Sequence, residues 1–147
     1  MNPYAAQQQY SNNHIATASP EQILIMLYDG AIRFTRQAIA ASEQNDQTAK
    51  LGRISKVFAI VVEFSNTLNH DIGGQIAADL DGLYQFMLRE LGKARNETDE
   101  KSLRVVEDLL VDLRKTWGEA IIKNKKETNQ QEETSQVKTS KTVAIAG

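Results

Sequence analysis

The strongest constraint on this chain is where proline is missing. Only Pro3 and Pro20 occur among its 147 residues, so nothing after residue 20 carries the side chain that removes a backbone donor and clashes with the preceding helical turn. Long helices are permitted from there onward. The first has a clear entry signal: Ser19 as N-cap, Pro20 at the first helical position, Glu21 in the first turn and Gln22 placed to close a capping box. Residues 20 to about 44 are predicted as a helix with Leu24, Leu27, Ala31, Phe34 and Ala38 on one face, read as core.

Three more segments repeat the spacing of three and four. After a polar connection from Ser42 to Thr48, with Asp46 as a cap, a second helix carries Leu51, Ile54, Phe58, Val61, Ser65 and Leu68. Asn69 to Gly74 breaks it. A third carries Ile76, Leu80, Leu83, Met87 and Leu91; past the polar turn Asn96 to Asp99, a fourth carries Leu103, Val106, Leu110, Leu113 and Trp117. Short connections make consecutive helices antiparallel. The predicted fold is therefore all-α, an up-down-up-down four-helix bundle over 20–122, with a flexible N-terminal arm (1–19) and a disordered polar tail (123–147) rich in Lys, Glu, Thr, Gln and Ser.

Several function classes fall away on composition. Seven Arg and ten Lys are balanced by 19 acids and spread along the chain, so no nucleic-acid partner is expected. No cysteine is present, which removes disulfides, thiolate metal sites and thiol catalysis. His14 and His70 have no acid or second histidine at a helical ligand spacing, so no metal is expected, and His70 reads as a residue near the C-terminus of the second helix, favoured there by the helix dipole. Asp29, beside Gly30, could be a buried acid, but no nucleophile, base or oxyanion donor accompanies it. Gly73-Gly74 has neither a strand before it nor Gly-Lys-Ser/Thr after it and reads as a turn. No enzyme activity and no cofactor are expected. The polar start, Met1 to Ser19, and the lack of a long apolar run predict a soluble, unexported protein with no membrane insertion.

A bundle helix needs one apolar stripe, yet the first helix has a second: Ile25, Ile32 and Ile39, seven residues apart, with Tyr28 beside them. The second helix adds Val57, Ile60 and Phe64, about 100° round from Phe58, Val61 and Ser65. Phe86 and Leu88 flank the main stripe of the third helix, and Tyr84 lies nearer its core side. Two readings stand side by side. Either these two helices are the most buried pair, or the extra stripes form a docking surface for an apolar, helical partner. Tyr4, Tyr10 and Ile15 are isolated anchors in the arm, able to fold over such a groove.

The residues also carry a family resemblance. Thr17-Ala18-Ser19-Pro20-Glu21-Gln22 running into Leu24-Ile25-Met26-Leu27-Tyr28-Asp29-Gly30-Ala31-Ile32-Arg33-Phe34 closely resembles the opening of flagellar export chaperones of the FliS type. Gly73-Gly74-Gln75-Ile76-Ala77 with Leu80, Leu83-Tyr84 and Met87, and Val106-Glu107 with Leu113 and Trp117, resemble the family's third and fourth helices. The likeness covers residues 4–122 and departs at Phe86-Met87-Leu88-Arg89-Glu90, where the family often has Tyr-Met with paired arginines.

The resemblance implies a cytoplasmic chaperone that binds the disordered C-terminal region of flagellin, prevents premature polymerisation and assists delivery to the flagellar export gate. On that reading the flagellin-binding groove is Ile25, Tyr28, Ile32 and Ile39, with Val57, Ile60 and Phe64, and Tyr84 and Leu88. Tyr10 would match an arm tyrosine linked to cargo handling. The free protein is expected as a monomer or weak dimer. The competing reading is a self-associating helical scaffold or adaptor that buries the same isoleucines between copies.

Overall fold

The computed structural model describes the backbone of residues 18–146 and the side-chain surroundings of residues 18–130. All the regular structure described is helical: α1 (Pro20–Glu43), α2 (Gln47–Thr67), α3 (His70–Ala94) and α4 (Lys101–Ala146). The chain separates into two compact units, Met1–Arg114 and Lys115–Gly147. The first holds α1, α2, α3 and the opening turns of α4, and it is this unit that forms the bundle.

Local chemistry accounts for the helix ends. At the start of α1 the Ser19 hydroxyl accepts from the Gln22 amide at 3.2 Å and the Gln22 side chain accepts from the Ser19 amide at 3.0 Å, the reciprocal capping box expected from sequence. Asp46 caps α2 by accepting from Ala49 N, while Asn45 takes the positive φ of 58° in the preceding turn, a conformation asparagine tolerates. The next break is narrower than the predicted Asn69 to Gly74. Asn69 caps α3 by accepting from Ile72 N, so His70 opens α3 and does not close α2.

The glycine pair acts inside α3. Gly74 has φ 51° and ψ −124°, a non-helical step within the helix, and a Cβ on Gly73 would lie 2.8 Å from the Ala77 Cβ. One glycine supplies the backbone angle and the other the clearance.

Contacts between helices fix their directions. Tyr28 on α1 stacks on Phe64 of α2, and Phe34, further along α1, lies beneath Arg53 and Lys56, earlier in α2. Ser65 donates to Asp81 at 2.6 Å, whereas Gln47 at the other end of α2 donates to the Arg95 carbonyl at the end of α3. Between α1 and α4 the ion pairs are Asp29–Arg114, Arg36–Glu107 and Glu43–Arg104. In each set one residue number rises as the other falls, which is antiparallel packing and the up-down-up-down order expected.

The buried faces differ from the predicted ones. On α1 the core side is Tyr28, Ala31, Ile32, Thr35, Ala38, Ile39 and Ser42, rotated roughly 60° from the predicted stripe at 100° per residue. Ala31 and Ala38 remain core, but Leu24, Leu27 and Phe34 are only half-buried. On α2, Ile54 and Val61 are core as expected, Val57 and Phe64 join them, and Phe58 turns outward. On α3, Met87 and Leu91 are fully buried, while Ala77 and Tyr84 replace Ile76 and Leu83, which are 71% and 37% exposed. Leu103, Val106 and Leu110 are fully buried, as the fourth stripe predicts.

Small and polar residues explain the rotation. Thr35 is fully buried, and its hydroxyl donates to the Ala31 carbonyl at 2.7 Å, so it brings no unpaired group into the core. Counting large apolar side chains misses a face built on Ala31, Thr35, Ala38 and Ser42, where small residues let neighbouring helices approach. Lys50 is a second unexpected core residue. It is fully buried, and its ammonium donates to the Glu97 carbonyl at 2.6 Å; the Glu97 carboxylate in turn accepts from Ser102 N and Oγ at the start of α4. The two bonds tie α2, the α3–α4 connection and α4 together, and the charge is tolerated because it is hydrogen-bonded.

In the second unit, α4 continues to Ala146, where the sequence reading puts a disordered tail from residue 123. Periodicity detects burial, and residues 122–130 are all exposed, so a helix without a packed stripe leaves no such signal. The segment holds no proline and many good helix formers, which permits the continuation.

Two stability predictions follow. Gly82→Ala and Gly92→Ala add a methyl to helix interiors with nothing within 4 Å, and each raises the unfolding free energy by about 0.5–1 kcal/mol. Gly73→Ala, which meets Ala77, lowers it by about 1–3 kcal/mol, and Gly74→Ala lowers it by about 1–3 kcal/mol through backbone strain. Urea unfolding of the four variants checks the opposite signs. The second concerns acid. Asp81 is held below its ordinary pKa by hydrogen bonds from Ser65 and Gln85, and Glu90 chiefly by one from Lys93. Both contribute stability that is present above the unfolded pKa, about 4, and is lost as pH falls through the lower folded values. The stability difference between the natural protein and the Asp81→Asn, Glu90→Gln double variant shrinks as pH is lowered from 6 through that window, read from urea midpoints.

Candidate functional site

Five consecutive apolar residues, Ile23 to Leu27, cannot all face one core, because they span more than a full helical turn. With Tyr28 drawn inward, Ile23 and Met26 are left 36% exposed. Together with Leu27, Phe34 and Ile60 of α2 they line a groove of about 250 Å³ along the α1–α2 seam. Gly30 lies within it; a methyl there would meet Ile60 Cδ1 at an ordinary 3.9 Å.

The groove is apolar with a basic margin. Arg33, Arg53 and Lys56 lie 5.1, 5.8 and 5.9 Å from the centroid of the Phe34 ring, within cation–π range. Their charged ends gather around the ring face, where the π quadrupole attracts cations. Phe34 thereby remains at the surface of a folded protein at modest cost.

The residues predicted for a groove divide sharply. Tyr28, Ile32, Ile39, Val57, Phe64 and Tyr84 do not line this groove; all are at most 8% exposed and pack in the core. Three of them meet there: the Tyr28 and Phe64 rings stack at 4.3 Å, Phe64 and Tyr84 pack tilted at 5.5 Å, and the two tyrosine hydroxyls are hydrogen-bonded at 2.8 Å. Ile25, Ile60 and Leu88 are half-buried, and only Ile60 of the nine lines the groove. The arm anchors Tyr4, Tyr10 and Ile15 lie outside the described residues.

On α1 the stripe read as the second one is the more buried of the two. Leu27 and Phe34, which the periodicity assigns to the core, line the groove, whereas Ile32 and Ile39, which it assigns to the lining, are buried and Ile25 is half-buried. Ile23 and Met26 were not singled out. The signal that could have found them was the length of the run from Ile23 to Leu27, which exceeds one helical face.

No catalytic constellation accompanies the groove. Asp29 is exposed and paired to Arg114 at 3.0 Å, not buried beside Gly30. Among the described residues no three His, Cys, Asp or Glu side chains converge as metal ligands, and no helix is long and apolar enough to cross a membrane.

Comparison with known proteins places this geometry. The family model described as flagellar protein FliS matches residues 2–125. The flagellar secretion chaperone FliS of Bacillus subtilis (strain 168) is 35% identical over 126 residues, covering 86% of this chain and 91% of the relative. That of Salmonella typhimurium (strain LT2) is 35% identical over 104 residues, covering 70% and 77%. A crystal structure of a bacterial flagellar chaperone superposes with a TM-score of 0.67 at 22% identity, over 83% of this chain and 99% of that one, which supports the fold. The chain belongs to the FliS family of flagellar secretion chaperones, whose members are not enzymes.

Proposed function

We propose that this chaperone binds the disordered C-terminal region of flagellin in the cytoplasm, prevents its premature polymerisation and assists its delivery to the flagellar type III export gate. The observation that carries the reading is an open apolar groove on a protein of this family. An exposed apolar seam is costly for a free bundle and useful for one that must capture an unfolded apolar segment.

Ile23, Met26, Leu27, Phe34 and Ile60 are the contact residues on this reading. They suit an amphipathic segment that becomes helical as it binds, with apolar side chains entering at helical spacing. Tyr28, Phe64 and Tyr84 act behind the groove by holding its walls. Ordering a disordered segment costs about 2–5 kcal/mol of the gross interaction, which keeps the complex reversible, as hand-over to an export gate requires. The basic margin around Phe34 adds a preference for carboxylates flanking the apolar anchors.

The test is titration calorimetry with a peptide spanning the C-terminal segment of flagellin from the same cell. One-to-one binding with a large negative heat-capacity change is expected. Ile23→Asp with Met26→Asp, both at exposed positions, weakens binding at least tenfold, about 1.4 kcal/mol or more, with unchanged helicity by circular dichroism. Absence of binding by the natural protein at micromolar concentration overturns the flagellin reading. Equal binding by the double variant overturns the groove.

A further inference from the structure

A second groove follows the opposite flank of α1, between it and α4. It encloses about 510 Å³ and is open along its length; Ile32, Ala40 and Val111 form its apolar lining, and Arg33, Arg36 and Arg114 its rim. Val111 is 37% exposed there. Every one of these residues lies in the unit Met1–Arg114.

The rim is unlike the rest of the chain. Lysine outnumbers arginine ten to seven and the net charge is −2, yet the groove gathers three arginines and no lysine. The planar guanidinium fork matches a carboxylate in a way an ammonium does not. The intramolecular pairs display that match: Arg114 holds Asp29 at 3.0 Å and Arg36 holds Glu107 at 3.1 Å. The Asp29–Arg114 pair is open to solvent, and Arg36 is exposed while Glu107 is more covered; an exposed pair is weak enough to be exchanged for a visiting carboxylate. Arg33 has no carboxylate partner among the described residues and rests near the Phe34 ring.

We propose that the α1–α4 groove is a second docking site, and that its occupant is a helical segment of a partner protein presenting an aliphatic side chain between carboxylates. A valley between two antiparallel helices accepts a third helix laid along it. The apolar lining takes the aliphatic side chain, while Arg33, on α1, and Arg114, on α4, take carboxylates on either side. The apolar lining and the two resident carboxylates, Asp29 and Glu107, disfavour a nucleic-acid backbone, which would want an unbroken positive track. The site does not depend on the flagellin reading: it shares only Arg33 with the α1–α2 groove, and its test needs no flagellin.

The experiment titrates the isotope-labelled full chain with a designed helical peptide carrying leucine flanked by glutamates one turn to either side. Saturable shift changes are expected at Ile32, Arg33, Ala40, Val111 and Arg114, with affinity falling as salt rises. The same peptide with lysines in place of glutamates binds at least tenfold more weakly. Arg33→Glu with Val111→Asp lowers affinity at least tenfold, Arg33→Ala alone lowers it measurably, and Lys101→Glu, outside the groove, changes it less than twofold. Absence of saturable changes on this flank overturns the site, as does equal binding of the lysine peptide, indifference to the Arg33 variants, or equally tight binding of a single-stranded oligonucleotide on the same residues.

Discussion

The arrangement of the bundle depends on one buried contact, the meeting of Tyr28, Phe64 and Tyr84. Each ring comes from a different helix, and each occupies more volume than its aliphatic neighbours. With Phe64 stacked on Tyr28 and tilted on Tyr84, the rotations of α1, α2 and α3 about their own axes are no longer independent. The hydrogen bond between the tyrosine hydroxyls lets two polar groups share the interior instead of each requiring water, since a buried hydroxyl is tolerated only when paired.

That rotation decides what the surface offers. Turning Tyr28, Ile32 and Ile39 inward carries Phe34, Leu27 and Met26 towards the α1–α2 seam, and Arg33 towards the outside between both flanks. α1 thus borders two grooves of different character. The α1–α2 groove is apolar with cations around one ring, and the α1–α4 groove is apolar at its base with guanidinium groups along its rim. A helix with a single apolar face could not supply both. The surplus of apolar residues on α1, read from sequence as a second stripe, is the physical origin of the first groove, although the stripe that lines it is the other one.

The ends of the bundle are held by different chemistry from its middle. Lys50 and Glu97 join the start of α2 to the α3–α4 connection and to the start of α4 through hydrogen bonds to backbone and side chain. Gly73 and Gly74 bend the start of α3 by clearance and by a positive φ. Neither device has a hydrophobic signature. A lysine in a helix reads as surface and a glycine pair as a loop, so the first was not anticipated and the second was placed in a break between helices instead of inside one.

The number of helices, their order and most of their ends are legible in the chain's local chemistry. The α1 capping box, the Asp46 cap, the absence of proline after residue 20 and the repeated spacing of three and four are local signals, and local backbone chemistry settles them. The sequence also carried the family, through the ordered run from Thr17 to Phe34. Which face of each helix is inside is settled by packing between helices, because a helix with two apolar stripes satisfies its own propensity equally well in either rotation. The choice rests on volume and polar pairing among residues far apart in the chain: Thr35 satisfied by its own backbone, small residues allowing close approach, and Tyr28 finding Phe64 and Tyr84. The continuation of α4 through residues 122–130 is hidden for the opposite reason, since those residues are all exposed and periodicity records burial.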